Sequence, residues 1–451
     1  MPTAALKTLG CKLNQYESEQ MREQLQHLGF AIVDFDTPAD LVVINSCTVT
    51  HHADRDTRRL ARRAKKTNPH AFVIVTGCYA EVSPEELRAI PEIDLVCRAT
   101  DKLRMGELVR GLSPETCGAG PKGADPMPSV SEVGSAPGTA GDRPGAPHLI
   151  SRFAEHTRCF VKVQEGCNER CSYCIIPQAR GPSRSVPPEE ILEQARRLAL
   201  AGHPEIVLIG THLGQFGRDL PRADDLVALV RRLAAIPELQ RLRLSSIEPR
   251  EVSEDLIALM AQDGGQREPK LCRYLHIPLQ SGCDSVLARM NRPYDTAFYA
   301  DLIGRTHAAQ PAAGLGADVI VGFPGETEGE FEQTRRFVEG LPLSYLHVFT
   351  YSPRKGTPAA GMPGQIPHDV ALARNHILRD LSERKRTTFA ESVVGQTLGV
   401  VLQTDEGAGR LRGITDNYLQ LRVQAPPDLL QQLVPCEVTA ATAGALTGRL
   451  L

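Results

Sequence analysis

The stretch GCNERCSYCIIPQARG, residues 166–181, carries the strongest chemical signal in the sequence. Cys167, Cys171 and Cys174 form a C-x3-C-x2-C pattern directly after the apolar segment CFVKVQ, which reads as a buried strand. Three thiolates at this spacing can hold three irons of one four-iron cluster and leave the fourth iron open. The alternatives are a zinc site, which usually closes with a fourth protein ligand, and three incidental thiols. We predict the iron–sulfur centre.

The residues after this strand alternate apolar segments with helical patterns. Such alternation predicts parallel strands joined by helices. With CFVKVQ, the predicted strands are EIVLIG, LRLSS, YLHIPL, ADVIVGF and LHVFTYS. Six β/α units indicate a partial or open (β/α) barrel, whose chemistry gathers at the carboxyl ends of the strands.

A second group of cysteines lies in the first part of the chain, where apolar segments and helical patterns predict an open parallel sheet. Cys11 follows ALKTLG, Cys47 follows LVVINS and Cys78 follows FVIVTG. Carboxyl ends of parallel strands share one edge, so the three thiols can meet at a second cluster with one open iron. Any one of them alone would be better explained as a small buried residue. Their common position favours a cluster.

Composition divides the chain further. Residues 1–112 form the predicted N-terminal domain, and 113–148, rich in Gly, Pro, Ala and Ser, are predicted to be a linker. Residues 149–390 contain the predicted barrel. Short strands between Gly, Asp and Pro turns predict a small all-β barrel over 391–451.

The 451 residues have a formal net charge of −3, so any nucleic-acid contact must come from a local patch. The segment RDTRRLARRAKK predicts a cationic helix, which is either an RNA-binding face or a solvated surface. Its candidate RNA-binding residues are Arg55, Arg58, Arg59, Arg62 and Arg63. No 18-residue apolar run and no leader pattern are present, so we expect a cytoplasmic protein without a membrane partner.

The cysteine spacing after a first barrel strand resembles the radical S-adenosylmethionine (SAM) superfamily. The resemblance implies that SAM binds the open iron of the Cys167, Cys171 and Cys174 cluster and is cleaved reductively to a 5′-deoxyadenosyl radical. Residues at the strand ends fit a bound nucleoside, although turns often carry such residues for folding alone. The candidate cofactor-binding residues are Thr211, Ser246, Glu248, Gln280, Gly322 and Gly325.

Motifs along almost the whole chain outside the linker resemble one branch of that superfamily, the methylthiotransferases. They are TLGCKLNQYESE, INSCTVTHHADRDTR, VTGCYAE, GCNERCSYCIIP, LSSIEP, LHIPLQSG, GADVIVGFPGET and YSPRKGTPA. The resemblance implies an N-terminal iron–sulfur domain, a radical SAM barrel and a C-terminal TRAM barrel. It also implies two 4Fe-4S clusters and SAM as cofactors, and the cofactors rather than any assigned side chain carry the chemistry.

Lys12, Asn14 and Gln15 in LGCKLNQYESE are most similar to the branch that modifies threonylcarbamoyl-adenosine in tRNA. The implied reaction installs a methylthio group at carbon 2 of that base, next to the anticodon. The implied partners are the tRNA anticodon stem-loop, a reducing electron donor and a sulfur source. Alternatives are action on isopentenyl-adenosine in tRNA, action on a ribosomal-protein aspartate, and a non-catalytic iron–sulfur RNA-binding sensor.

Overall fold

The computed structural model describes residues 1–98, 101–111, 149–153, 157–221, 224–261 and 270–451. The chain forms two compact units. The first contains Met1–Ile150 and Ile175–Gly181, and the second contains Ser151–Cys174 and Pro182–Leu451. The predicted linker, 113–148, lies outside the described residues. The domain boundaries drawn from composition remain predictions.

The first unit is built on a five-stranded parallel sheet with the strand order β2-β1-β3-β4-β5. Its strands are β1 (Thr3–Thr8), β2 (Ala31–Val33), β3 (Leu41–Ser46), β4 (Phe72–Gly77) and β5 (Leu95–Val96). Its helices are α1 (Lys12–His27), α2 (His51–Thr67), α3 (Cys78–Val82), α4 (Pro84–Arg88), α5 (Met105–Gly111) and α6 (Ile176–Arg180). The predicted open parallel sheet is confirmed.

The central strands of this sheet are buried at every position because both of its faces are covered. Val42 and Ile44 pack on one face with Leu60 of α2. Val43 packs on the other face with Met21 of α1. A parallel sheet buried on both faces therefore explains the unbroken apolar runs in β3 and β4.

The second unit begins with six parallel strands in two groups, β10-β9-β6 and β11-β12-β13. A bridge between Ser246 and His276 joins β10 to β11. Strands β6 and β13 are left as the two edges, so the predicted partial barrel is confirmed. The strands are β6 (Arg158–Lys162), β9 (Glu205–Ile209), β10 (Arg241–Leu244), β11 (Tyr274–His276), β12 (Gly314–Val321) and β13 (Tyr345–Thr350), with β7 (Gln164–Glu165) and β8 (Arg184–Ser185) as a small ribbon.

Helices connect these strands. They are α7 (Pro188–Leu200), α8 (Leu226–Ala234), α9 (Glu254–Ala261), α10 (Asp284–Arg289), α11 (Thr296–Ala309), α12 (Glu328–Gly340) and α13 (His368–Ser392). Helix α12 begins with a capping box, in which Thr327 and Glu330 satisfy each other's backbone N–H groups. None of the described helices is long and apolar enough to span a membrane.

The last strands close into an antiparallel-rich barrel in the order β14-β15-β16-β18-β17. They are β14 (Thr397–Asp405), β15 (Arg410–Thr415), β16 (Gln420–Gln424), β17 (Leu433–Thr442) and β18 (Ala445–Leu450). The predicted small all-β barrel is confirmed, and β18 is a strand that the turn pattern did not indicate. Buried Leu398, Leu411 and Leu421 are among the residues of its core.

Buried charges tie this small barrel to the partial barrel. Glu205 is fully buried at the start of β9, and its carboxylate accepts from Arg241 Nε at 2.6 Å and Arg243 Nε at 2.8 Å. The two guanidinium groups also donate to barrel carbonyls, Arg241 to Ile414 and Arg243 to Thr415, each at 2.9 Å. Burial opposes ionisation, but the two arginines lower the pKa of Glu205 well below its usual range.

We expect Glu205→Gln to destabilise the protein by about 3–5 kcal/mol, because the substitution leaves two buried guanidinium groups without a counter-charge. Glu406→Gln is the matched control, since Glu406 pairs with the more exposed Arg412 and Arg422. Its expected cost is about 1 kcal/mol or less. Urea denaturation measures both, and equal costs for the two variants would contradict this assignment.

Candidate functional site

Three cysteines of the first unit lie where parallel strands end. Cys11 is the N-cap of α1 after β1, Cys47 directly follows β3, and Cys78 is the first residue of α3 after β4. Strand β3 pairs with β1 on one side and β4 on the other, so these strand ends are neighbours. Cys47 and Cys78 are buried, whereas Cys11 is exposed.

Two glycines shape the backbone around these thiols. Gly10 and Gly77 both have φ of +93°, a conformation that L-residues with a side chain rarely adopt. A Cβ added at Gly10 would lie 2.8 Å from Cys47 Sγ, and one added at Gly77 would lie 2.4 Å from the Ser46 carbonyl oxygen. Glycine is thus required for the close approach of the three strand ends.

The three thiols influence one another electrostatically. Burial raises the pKa of Cys47 to about 11, and negative charge on Cys78 or Cys11 raises it further. Burial also raises the pKa of Cys78, with a contribution from Cys11, while the positive charge of Arg180 lowers the pKa of both buried thiols. Because burial raises both pKa values, Cys47 and Cys78 are protonated at neutral pH in the free protein, and metal binding would release their protons.

One trio of ligand-type side chains is close enough to hold a single metal ion. Within the described residues, His276, Asp318 and His347 are the one trio whose ligand atoms lie within 4.8 Å of one another. Neither cysteine trio meets this limit, and the assignment of the cysteines to two clusters stays a prediction.

The second trio lies in the loop between β7 and α6. Arg292 donates from Nη1 to Cys171 Sγ at 3.1 Å and pairs with Glu248. His212 lies with Nδ1 3.5 Å from Cys167 Sγ and Nε2 2.7 Å from Glu251. Burial lowers the pKa of His212, but Cys167 and Glu251 outweigh burial and raise it to about 10. Two cations therefore face this cysteine loop.

Among the predicted cofactor residues, Glu248 pairs with Arg292, which contacts Cys171. A cavity of about 140 Å³ is lined by Glu248, Arg292 and His212. Thr211 supports the loop, because its hydroxyl accepts from the Gly166 N–H at 3.2 Å. Gln280 is buried with φ of 73°, whereas Ser246 is exposed.

The Gly322 and Gly325 turn has a packing explanation of its own. Gly322 has φ of +72°, and a Cβ added there would lie 2.5 Å from Ala371 Cβ on α13. Gly325 donates its N–H to the Gly364 carbonyl at 2.8 Å. The turn therefore packs against protein, and a role in cofactor binding remains a prediction for both glycines.

The predicted RNA-binding arginines all lie on α2, and acids offset several of them. Arg59 pairs with Asp56 at 3.2 Å, Arg62 with Glu92 at 3.9 Å, and Arg63 with Asp36. Arg58 donates to the Tyr79 hydroxyl at 3.3 Å, and Arg55 bonds to His52 at 3.1 Å. The face is cationic but partly neutralised.

A larger cationic cavity, which the sequence did not indicate, lies in the second unit. It measures about 910 Å³ and runs between β13, α13 and the C-terminal barrel. Five arginines and the carboxylate of Glu383 line it, with Tyr345, His347, Phe349 and Tyr418 as aromatic neighbours. The arginines are Arg158, Arg379, Arg386, Arg412 and Arg422. Phe349 is 47% exposed in this lining.

Two family models match the chain. Residues 3–98 match "Uncharacterized protein family UPF0004", and residues 161–338 match the "Radical SAM superfamily". The radical S-adenosylmethionine methyltransferase TsrM from Kitasatospora setae has a similar structure, with a TM-score of 0.54 and 16% identity over 80% of this chain and 77% of that one. At this identity the similarity concerns the fold alone.

Two relatives resemble the chain over almost its full length. The threonylcarbamoyladenosine tRNA methylthiotransferase MtaB of Bacillus subtilis is 37% identical, with 98% of this chain and 94% of the relative aligned. The tRNA-2-methylthio-N(6)-dimethylallyladenosine synthase of Akkermansia muciniphila is 32% identical, with 99% and 98% aligned. The chain therefore belongs to the methylthiotransferase family of radical SAM enzymes, in its threonylcarbamoyladenosine tRNA methylthiotransferase branch.

Proposed function

We propose that this enzyme installs the 2-methylthio group on threonylcarbamoyl-adenosine of tRNA, with one 4Fe-4S cluster held in each unit. Enzymes of this family use two 4Fe-4S clusters and SAM. The observation that carries the assignment of sites is that each unit presents a group of three cysteines, at three neighbouring strand ends in the first unit and in the loop between β7 and α6 in the second. Cys11, Cys47 and Cys78 are the proposed ligands of one cluster, and Cys167, Cys171 and Cys174 of the other.

The protein's own groups prepare both sites. When bound, the clusters and SAM supply the electron, the radical and the sulfur that replace the carbon 2 hydrogen by a methylthio group. Arg292 places positive charge beside Cys171 and opposes the effect of burial, which raises the pKa of this thiol, and His212 lies beside Cys167. Glu248 orients Arg292 toward the loop, and the small cavity beside these residues is the proposed location of the SAM amino-acid moiety.

The substrate assignment is tested in a host strain that lacks its own enzyme for this modification. Expression of this chain is expected to restore 2-methylthio-threonylcarbamoyl-adenosine in digested tRNA, measured by liquid chromatography with mass spectrometry. The Cys171→Ala variant serves as the inactive control. Accumulation of methylthiolated isopentenyl-adenosine, or of a methylthiolated ribosomal aspartate, would assign the enzyme to another substrate. If the reduced protein forms no 5′-deoxyadenosine from SAM, a non-catalytic sensor would be favoured.

The two cluster sites are tested by iron content. The wild-type protein is expected to contain about eight irons per chain, and Cys11→Ala/Cys47→Ala/Cys78→Ala about four. SAM cleavage should persist in this triple variant, because the second cysteine loop is unchanged. Cys97→Ala/Cys159→Ala/Cys272→Ala is the matched control, since these three buried thiols lie outside both loops. Full iron content in the first triple variant would refute the N-terminal cluster.

We further propose that the 910 Å³ cavity receives single-stranded RNA of the anticodon stem-loop. Guanidinium groups bind phosphates, and exposed aromatic side chains stack on unpaired bases. The cavity combines the two, because its lining includes Arg379 and Arg386 of α13 together with the exposed ring of Phe349. The enzyme would act in the cytoplasm, and its reaction would also require a one-electron reductant and a sulfur source.

The Arg379→Ala/Arg386→Ala variant is expected to bind tRNA more weakly than the wild type. If two phosphate contacts are lost, the slope of log affinity against log salt should fall in magnitude by about 1.4. Arg196→Ala/Arg197→Ala on α7 is the control, because these arginines are half exposed and are not among the residues that line the cavity. Filter binding over a salt series measures the slope for both variants. If the Arg379→Ala/Arg386→Ala variant has the same slope as the wild type, the cavity is excluded as an RNA-binding site.

A further inference from the structure

A buried group of charges lies in the first unit beside the N-terminal cysteines, and the proposed function assigns it no role. Glu17 of α1 is fully buried. Its carboxylate accepts from Lys102 Nζ at 2.6 Å and from Arg180 Nη1 at 3.0 Å. The side chains of Lys102 and Arg180 are each only 2% exposed. Two cations and one anion give this group a net charge of +1.

Arg180 comes from a distant part of the sequence. It is separated from Glu17 by 163 positions, yet the segment Ile175–Gly181 that carries it belongs to the first unit. Burying a guanidinium group costs several kcal/mol unless it is paired and hydrogen-bonded. The fold places Arg180 and Lys102 beside the single carboxylate of Glu17. These three side chains therefore carry a net positive charge.

Hydrogen bonds connect Arg180 to the backbone next to the cysteines. Arg180 Nη2 donates to Asn14 Oδ1 at 2.6 Å. The amide nitrogen of Asn14 donates to the carbonyls of Ser46 at 3.0 Å and Leu9 at 2.7 Å. Ser46 immediately precedes Cys47, and Leu9 lies two residues before Cys11. Asn14 therefore connects the guanidinium of Arg180 to the backbone that presents two of the three cysteines.

The positive charge lies close to the cysteine-bearing backbone. Asn14 accepts from Arg180 and donates to the carbonyl of Ser46, directly before Cys47. Because burial disfavours negative charge, thiolates at the buried Cys47 and Cys78 need a nearby positive charge. A reduced iron–sulfur cluster carries one more negative charge than its oxidised form and therefore needs compensation even more.

We propose that Arg180 is a positioning residue of the N-terminal cluster, and that its charge, held by Glu17 and Asn14, raises the reduction potential of that cluster. The proposal rests on the proposed function, since it requires a cluster at Cys11, Cys47 and Cys78. It also gives Asn14 a structural role. This buried residue orients Arg180 and the cysteine backbone, whereas the motif alone associated it with the choice of substrate.

The test uses the full chain with Cys167→Ala/Cys171→Ala/Cys174→Ala as the parent, so that only the N-terminal cluster contributes. Redox titration followed by electron paramagnetic resonance gives the midpoint potential. Arg180→Met reduces the net charge of the group to 0 and should shift the potential to more negative values. Glu17→Gln raises the net charge to +2 and should shift it to more positive values. The double variant restores +1 and should return close to the parent.

Opposite shifts separate a charge effect from a structural one, because a purely structural role would lower iron content in both single variants without opposite changes in potential. Arg180→Lys should retain most of the parent potential. Arg104→Met is the matched control, since Arg104 is half exposed in the same unit and should leave the potential unchanged.

Failure of the two proposals can be told apart. A parent without about four irons would refute the N-terminal cluster itself. A parent with about four irons, and single variants with the parent potential, would refute the role of Arg180 alone. If Arg180→Met alone does not fold, as judged by circular dichroism, Glu17→Gln is compared with the double variant. Their net charges are +2 and +1, so the midpoint potential of Glu17→Gln should be the more positive.

Discussion

Parallel strand pairing is the constraint on which both candidate sites depend. In the sheet of the first unit and in the partial barrel of the second, neighbouring strands run in the same direction, so their carboxyl ends lie along one edge and residues remote in sequence become neighbours there. Cys11, Cys47 and Cys78 follow three adjacent strands in this way, and the loop with Cys167 follows the first strand of the partial barrel. The glycines at positions 10 and 77 remove the steric obstacle to close approach. The chemistry of the enzyme thus begins with backbone geometry.

Both sites then face the same electrostatic problem, which is the presence of anionic sulfur in surroundings with little water. In each site, a buried arginine that is paired with a carboxylate supplies positive charge near the sulfur atoms. Arg292 contacts Cys171 and pairs with Glu248, while Arg180 pairs with Glu17 and acts on Cys47 and Cys78. A guanidinium group suits this purpose because it remains charged when buried and offers donors to several partners at once.

The sequence predicted the parts of the structure that depend on local pattern. Buried apolar runs such as LVVINS and FVIVTG identified the central strands, and their ends identified the cysteines. It did not predict the short edge strand Ala31–Val33 or the final strand Ala445–Leu450, which are too short or too mixed to show a period. Arg180 and Arg292 were also missed, because Arg180 contacts Glu17 across 163 positions and Arg292 contacts Cys171 across 121, and no local pattern records such contacts. The cationic cavity is likewise assembled from residues of several segments.

The charges around Glu205 have a consequence for how this enzyme can be rearranged during evolution or engineering. The C-terminal barrel looks like an interchangeable module, yet its backbone carbonyls at Ile414 and Thr415 complete the hydrogen bonds of Arg241 and Arg243 in the neighbouring barrel. A truncated chain, or a chimera with a different terminal module, would leave these buried donors without acceptors. Replacement modules must therefore preserve the positions of the acceptor carbonyls at the end of β15, even where nothing of their own sequence is retained.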